Sequence, residues 1–197
     1  MADKEIKSAF EIAMEKLNKI ESSTEEERLE WEYLPKGEQL AGKYVKEDFD
    51  LFAALNEFTG DPRKYVIKGA AAVLVRNISM PHNELIKKTN KKAMDALKVL
   101  KNDKGRTEAV FANIRRLFDH YGTQGEQQRK QALASLKTDF EDRLQEAAKQ
   151  QGLAIAGKMD VEKQPQFQQE WRRLLTQLDS QYVKVLNEYK QELEEIA

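Results

Sequence analysis

The chain has 197 residues, enough for one ordinary domain with a real core or for a smaller domain carrying a long helical arm. Hydrophobic residues make up 40% and charged residues 34%, with only 9 Gly and 4 Pro, a composition that favours long helices flanked by solvent. Lys plus Arg (33) nearly cancels Asp plus Glu (34), which removes the basic bias of a dedicated nucleic-acid binder and the acidic excess of a solvating tail; the absence of Cys excludes disulfides, thiolate zinc sites and a Cys nucleophile.

The first residues turn amphipathic at once and lack the apolar core of a secretory signal. Ile6, Phe10, Ala13, Leu17 and Ile20 recur in steps of four and three, which predicts a first helix with one apolar stripe. Ser22 and Ser23 interrupt it. Thr24 and Glu27 then read as a capping box, with Glu25 and Glu26 suited to the positive end of the new helix. Pro35 lacks a backbone donor, so this second helix is expected to stop near Tyr33 and another to begin at Pro35 or Lys36. The stripe Leu40, Tyr44, Leu51, Leu55 and Phe58 follows, closed by Thr59 and Gly60, with Asp61 and Pro62 as cap and first residue of the next helix.

From Val66 to Ile78 hardly any polar face remains, as expected of a helix buried on several sides, and the small run Gly69 to Ala72 invites a neighbouring helix to approach closely. Lys68 and Arg76 interrupt the apolar stretch from Tyr65 to Ile78, which falls short of the roughly 20 residues that span a bilayer. A cytoplasmic, water-soluble chain without a membrane segment is therefore expected. Ser79, Met80 and Pro81 open a helix whose core face is Leu85, Ile86, Ala93, Ala96, Leu97 and Leu100, before a turn at Asn102 to Gly105. Val110, Ile114, Leu117 and Tyr121 form the next stripe. Gly122 and Gly125 weaken the helix by roughly 1 kcal/mol each relative to alanine, which leaves open whether it breaks or bends there.

The last third carries the most regular pattern. Phe167, Trp171, Leu174, Leu178, Tyr182, Val185, Tyr189, Leu193 and Ile196 form one stripe that repeats after eleven residues, for a seam that runs nearly straight. Leu133, Leu136, Phe140, Leu144 and Ala147 precede it with the same spacing. Joined by Gly152 to Gln164, the two segments predict an antiparallel helical hairpin about 40 Å long at the usual rise per residue.

Pro165-Gln166-Phe167-Gln168-Gln169-Glu170-Trp171-Arg172-Arg173-Leu174, continuing through Leu178 to Tyr182 and Val185 to Lys190, resembles the C-terminal signature of an uncharacterised family of bacterial helical proteins. Ile6 to Ala9, Ala13 to Lys16 and Leu40 to Tyr44 are similar to that family too. The resemblance implies an all-helical bacterial cytosolic protein and carries no activity, substrate, cofactor or site residues.

Gly152-Leu153-Ala154-Ile155-Ala156-Gly157-Lys158 fits the phosphate-loop pattern, but Met159 stands where a magnesium-holding Ser or Thr is needed, and a helix, not a strand, leads into it. A hairpin connection is the favoured reading, with Leu153 and Ile155 folded back onto the helices or serving as a docking knob. Neither His82 nor His120 has the Glu-x-x-His spacing of bundle metal sites, and no nucleophile is placed to complete a triad. Asp119 and His120 are adjacent and point about 100° apart on a helix. Lys87, Lys88, Lys91, Lys92, Lys98, Lys101, Lys104 and Arg106 are the only basic concentration; without interleaved aromatics it reads as a solvated face. Trp171 reads as a core anchor, whereas Trp31 lies off the stripe of Leu29 and Tyr33 and is either covered by another segment or exposed.

The expected architecture is all-α, a helical bundle over residues 1–121 followed by an extended hairpin over 122–197 with its loop at about 152–164. The expected function is that of a non-catalytic interaction or scaffold protein that self-associates or binds a partner protein, with Leu153, Ile155, Trp171, Tyr182 and Tyr189 as contact residues. The alternative is a nucleic-acid-associated protein using Lys87, Lys91 and Lys98 on the lysine-rich helix. No cofactor, metal or small-molecule substrate is indicated. An enzyme is the third reading, and its discriminator is a pocket lined by His82 or His120 together with carboxylates.

Overall fold

The computed structural model describes residues 23–150 and 160–196. The described residues are helical, with no strand among them, so the expected all-α class holds. The first expected helix, Ile6 to Ile20, and the Gly152 to Lys158 loop with Leu153 and Ile155 lie outside the described residues. The chain forms two compact units, the first ending at Asn77 and the second beginning at Ile78.

In the first unit, α1 (Glu25–Lys46) starts with the expected capping box: the Thr24 hydroxyl accepts from the Glu27 amide at 3.2 Å, and the Glu27 carboxylate accepts from the Thr24 amide at 2.8 Å. The helix does not stop before Pro35, which lies inside it. Pro35 is on the exposed side, where water can serve the carbonyl that loses its partner, and the same helix buries Gly37 and Ala41. The predicted single stripe from Leu40 to Phe58 is divided. Asp50 accepts from the amides of Phe52 and Ala53 and starts a short α2 (Leu51–Asn56) that buries Leu51 and Leu55. Gly60, at φ +64, begins α3 (Gly60–Asn77). Arg63 on α3 ties back to α2 by donating to the Leu55 carbonyl at 2.7 Å.

Tyr65, Val66, Gly69, Ala70, Ala71, Leu74 and Val75 of α3 are buried, as its composition predicts. Close approach to α1 is reciprocal: a Cβ on Gly37 would collide with the Val66 carbonyl, and one on Gly69 with the Leu34 carbonyl. Lys68 to Glu30 and Arg76 to Glu38 pair the rims of the same two helices.

The second unit begins with a turn rather than a helix: His82 N–H donates to the Met80 carbonyl at 2.9 Å, and α4 (Glu84–Leu100) starts only after Asn83, whose side chain caps the Ile86 amide. This start is later than Ser79 to Pro81 suggest, and it leaves Leu85 73% exposed instead of in the core. Ala93, Met94, Ala96 and Leu97 are buried. After the Asn102 turn comes α5 (Lys104–His120), then a π-helical turn (Tyr121–Gly125), then α6 (Glu126–Gln150), with no break between them: one rod of 47 residues. The return helix α7 (Pro165–Glu195) packs against both α6 and α5. Val161, in a short 3₁₀ turn, joins Phe140 and Phe167 in the core of the hairpin, with Leu133, Leu136, Leu144 and Trp171 partly buried around them.

The helical hairpin is therefore present, but it does not begin a separate unit near residue 121. Residues expected in one bundle up to 121 are shared between the two units, because a helix that stays continuous through Tyr121–Gly125 carries α5 and α6 as a single element against α7.

Candidate functional site

The π-helical turn has a traceable origin. Wider turns displace backbone carbonyls from the regular ladder, and these need other partners. Arg129, one turn further on, donates from Nη2 to the Tyr121 carbonyl at 3.0 Å, and the Thr123 hydroxyl donates to the Asp119 carbonyl at 2.8 Å. Gly125 is buried against α7; a Cβ there would lie 3.0 Å from the Tyr182 hydroxyl and 3.2 Å from Arg129 Nη1. Gly122 has open space around it.

Tyr121, only 4% exposed, is the centre of the site. Its hydroxyl lies 2.7 Å from His82 Nδ1 and donates to Asp179 Oδ2 at 3.3 Å in an alternative orientation. The Arg129 guanidinium stacks 4.0 Å from the Tyr121 ring centroid and donates from Nη1 to Asp179 Oδ1 at 3.3 Å. Burial, then the nearby Asp179 carboxylate, pushes the Tyr121 phenol up to about 12. Beside it His120 Nδ1 meets the Tyr182 hydroxyl at 3.0 Å, and the Tyr121 and Tyr182 rings pack edge to face with centroids 5.1 Å apart. Both histidines of the chain thus bond a tyrosine hydroxyl at the same turn.

His82 is positioned from α4. Buried Asn90 accepts from the Ser79 amide at 2.9 Å and donates to the Ser79 carbonyl at 2.6 Å, while Lys190 of α7 donates to the Ile78 carbonyl at 3.0 Å. These three bonds hold the segment that carries His82 against the helices. The site opens on a cleft of about 1140 Å³ between α4, the long rod and α7, lined by His82, Tyr121, Asp179 and Arg129, with Met94, Phe118 and Leu175 as apolar wall. Lys87, Lys91 and Arg115 face it together with Asp95, Asp119 and Glu126, so its charge is mixed.

The predicted contact residues scatter. Tyr182 is at the turn, Trp171 packs on the hairpin core, and Tyr189 is half-buried further along α7. Of the predicted lysines, Lys87 and Lys91 are at the cleft and Lys98 is not. Much of the basic concentration is engaged at home. Lys87 pairs with Glu84 at 2.7 Å and Lys98 with Glu108 at 2.9 Å. Lys104 donates to the carbonyls of Lys98 and Val99, and Arg106 faces Glu192 and Glu195. Lys101 is buried outright, donating to the Ile196 carbonyl at 2.5 Å, and burial holds its ammonium below the usual lysine range. Among the described residues no group of three or more His, Asp and Glu could hold a metal ion.

A family model of unknown function, DUF6657, matches residues 52–195. The chain belongs to this family. The DUF6657 match spans most of α2 through α7 and includes the Pro165 to Lys190 segment on which the family resemblance rests; the similar segments at Ile6 to Lys16 and Leu40 to Tyr44 precede it. Every residue of the Tyr121 site lies within the DUF6657 region. No curated protein and no solved structure matches the chain. Among the described residues no helix is long and apolar enough to cross a membrane.

Sequence reasoning missed the meeting of Tyr121 and Arg129 with His82 and Asp179, which lie 39 and 58 residues from Tyr121 in the chain. The one signal was the pair Gly122 and Gly125 inside an otherwise good helical stripe.

Proposed function

We propose that the protein is a non-catalytic helical interaction protein, which uses the α6 and α7 arm to self-associate or to grip a partner helix. The observation that carries this reading is the thinness of the arm's core. Phe140 is the only buried residue among the 25 of α6, and Leu133, Leu136 and Leu144 stay partly exposed along the same stripe. Two helices, each with one narrow stripe, cannot shield each other as a bundle of four does. A third helix laid along the seam would bury what remains. Trp171, partly buried on the seam, belongs to the surface such a helix would meet. Sedimentation velocity over a concentration range tests it: reversible formation of dimers or higher species supports self-association, and a monomer at all concentrations that also retains no helical partner on an affinity matrix overturns it.

A second reading is favoured by one specific observation. The cleft lined by His82 and Asp179, with Asp119 and Glu126 nearby, is the pocket that would accompany a ligand-binding or catalytic role. The nucleic-acid alternative draws less support, since Lys87 and Lys98 have acidic partners and the cleft beside Lys91 is of mixed charge.

A further inference from the structure

His82, Tyr121 and Asp179 come from three separate segments, the turn before α4, the π-helical turn and α7, and they converge on one hydroxyl. A phenol carries a single proton, so it can donate to only one of the two flanking acceptors. When the neutral imidazole carries its proton on Nε2, the 2.7 Å contact with His82 Nδ1 takes the phenol proton, and the Asp179 carboxylate, 3.3 Å away, is left to Arg129. Protonation of His82 at Nδ1 reverses the first bond. The imidazolium N–H must then donate to the Tyr121 oxygen, and the hydroxyl proton is free to turn to Asp179 Oδ2.

We propose that Tyr121 is a proton-responsive switch: when His82 is charged, the hydroxyl relays the imidazolium to the Asp179 carboxylate and fastens the turn before α4 to α7 across the π-helical turn. The only reactant is one solvent proton, and the only internal change is the direction of two hydrogen bonds. The relay needs a phenol that keeps its own proton throughout, which the raised ionisation range of Tyr121 secures. The surrounding charges are mixed in sign: Lys87, Lys91 and Asp95 from α4, Arg115, Asp119 and His120 from α5, Glu126 and Arg129 from α6, and Asp179 with Tyr182 from α7. The neighbouring pair provides an internal contrast. Tyr182 bonds His120 but no carboxylate among the described residues, so protonating His120 sends its hydroxyl proton to solvent. Because His82 lines the cleft, the switch sets how firmly that wall is held, whatever the role of the arm.

The test is a pH titration of the full chain by NMR, following the ring nitrogens of His82, Tyr121 Cζ and Asp179 Cγ. The expected result is a Nε2–H tautomer for His82 at high pH, with the Tyr121 and Asp179 signals moving together with His82 and not with His120. In Tyr121→Phe the Asp179 signal should no longer follow His82, because the hydroxyl that couples them is gone. A Nδ1–H tautomer at high pH, or Tyr121 and Asp179 signals that stay still while His82 titrates, would overturn the proposal on the unaltered protein alone.

Discussion

Ionising Tyr121 is costly, because its oxygen would be a buried anion beside the Asp179 carboxylate. Its phenol, raised to about 12 from 10.0, favours the folded state only while it is neutral. A group whose folded value exceeds the unfolded one contributes in full below the unfolded value and loses that contribution as pH rises toward the folded one. The window is therefore pH 10 to 12, and the loss is about 2–3 kcal/mol for a shift of this size. Tyr121→Phe is expected to be less stable at pH 8 by about 1 kcal/mol for the lost hydrogen bonds, yet to lose less stability than the parent between pH 10 and 12. Urea unfolding at a series of pH values reads both; an identical alkaline slope in the two proteins would contradict it. Lys101 illustrates the same scale. In the sequence it was one lysine of a basic run, and only the Ile196 carbonyl, brought over it by α7, makes it a buried, partnered donor.

At the scale of elements, periodicity proved a good guide to which residues share a face and a poorer one to where helices stop. Pro35 shows why. A proline stops a helix when the lost hydrogen bond cannot be replaced, but here it is on the solvent side of α1 while Gly37 and Ala41 pack inward. The packing against α3 outweighs a local penalty of about 3 kcal/mol. Gly37 and Gly69 are the counterpart, since backbone meets backbone at both. Gly37→Ala and Gly69→Ala are each expected to destabilise by about 1–3 kcal/mol through overpacking. Gly42→Ala, in the same helix with nothing within 4 Å, should stabilise by roughly 0.5–1 kcal/mol. Thermal unfolding of the three variants checks the opposite signs. The π-helical turn resolves the ambiguity at Gly122 in a way that neither a break nor a bend describes. One widened turn lets the rod continue while Arg129 serves the displaced carbonyl.

On the scale of the molecule, burial is distributed unevenly along the second unit. The buried side chains of α4, α5 and the C-terminal half of α7 include Leu97, Ile114, Leu186 and Leu193, whereas α6 contributes Phe140 alone. Local opening follows the number of buried contacts that hold a segment. Amide hydrogen exchange is therefore expected to be fastest along α6 beyond Arg129, excepting the turn at Phe140, and slowest in α4 and α5. If a partner covers the arm, adding it should slow α6 selectively. Equal protection of α5 and α6 in the isolated protein would mean that the arm is already shielded, and the proposed role would lose its basis.

The residues alone determined the helical class, the stripes and the hairpin, because apolar spacing of three and four is a local property that any helix must obey. They also determined the cap at Thr24 and the close approach at Gly69, where a single residue type answers a single backbone need. The pairing of helices was decided only in three dimensions, and with it the division at Asn77, the burial of Lys101 and the convergence of His82 and Asp179 on Tyr121. These depend on which stripe covers which. A repeat that fits many partners equally well leaves that choice to the summed burial of the whole chain.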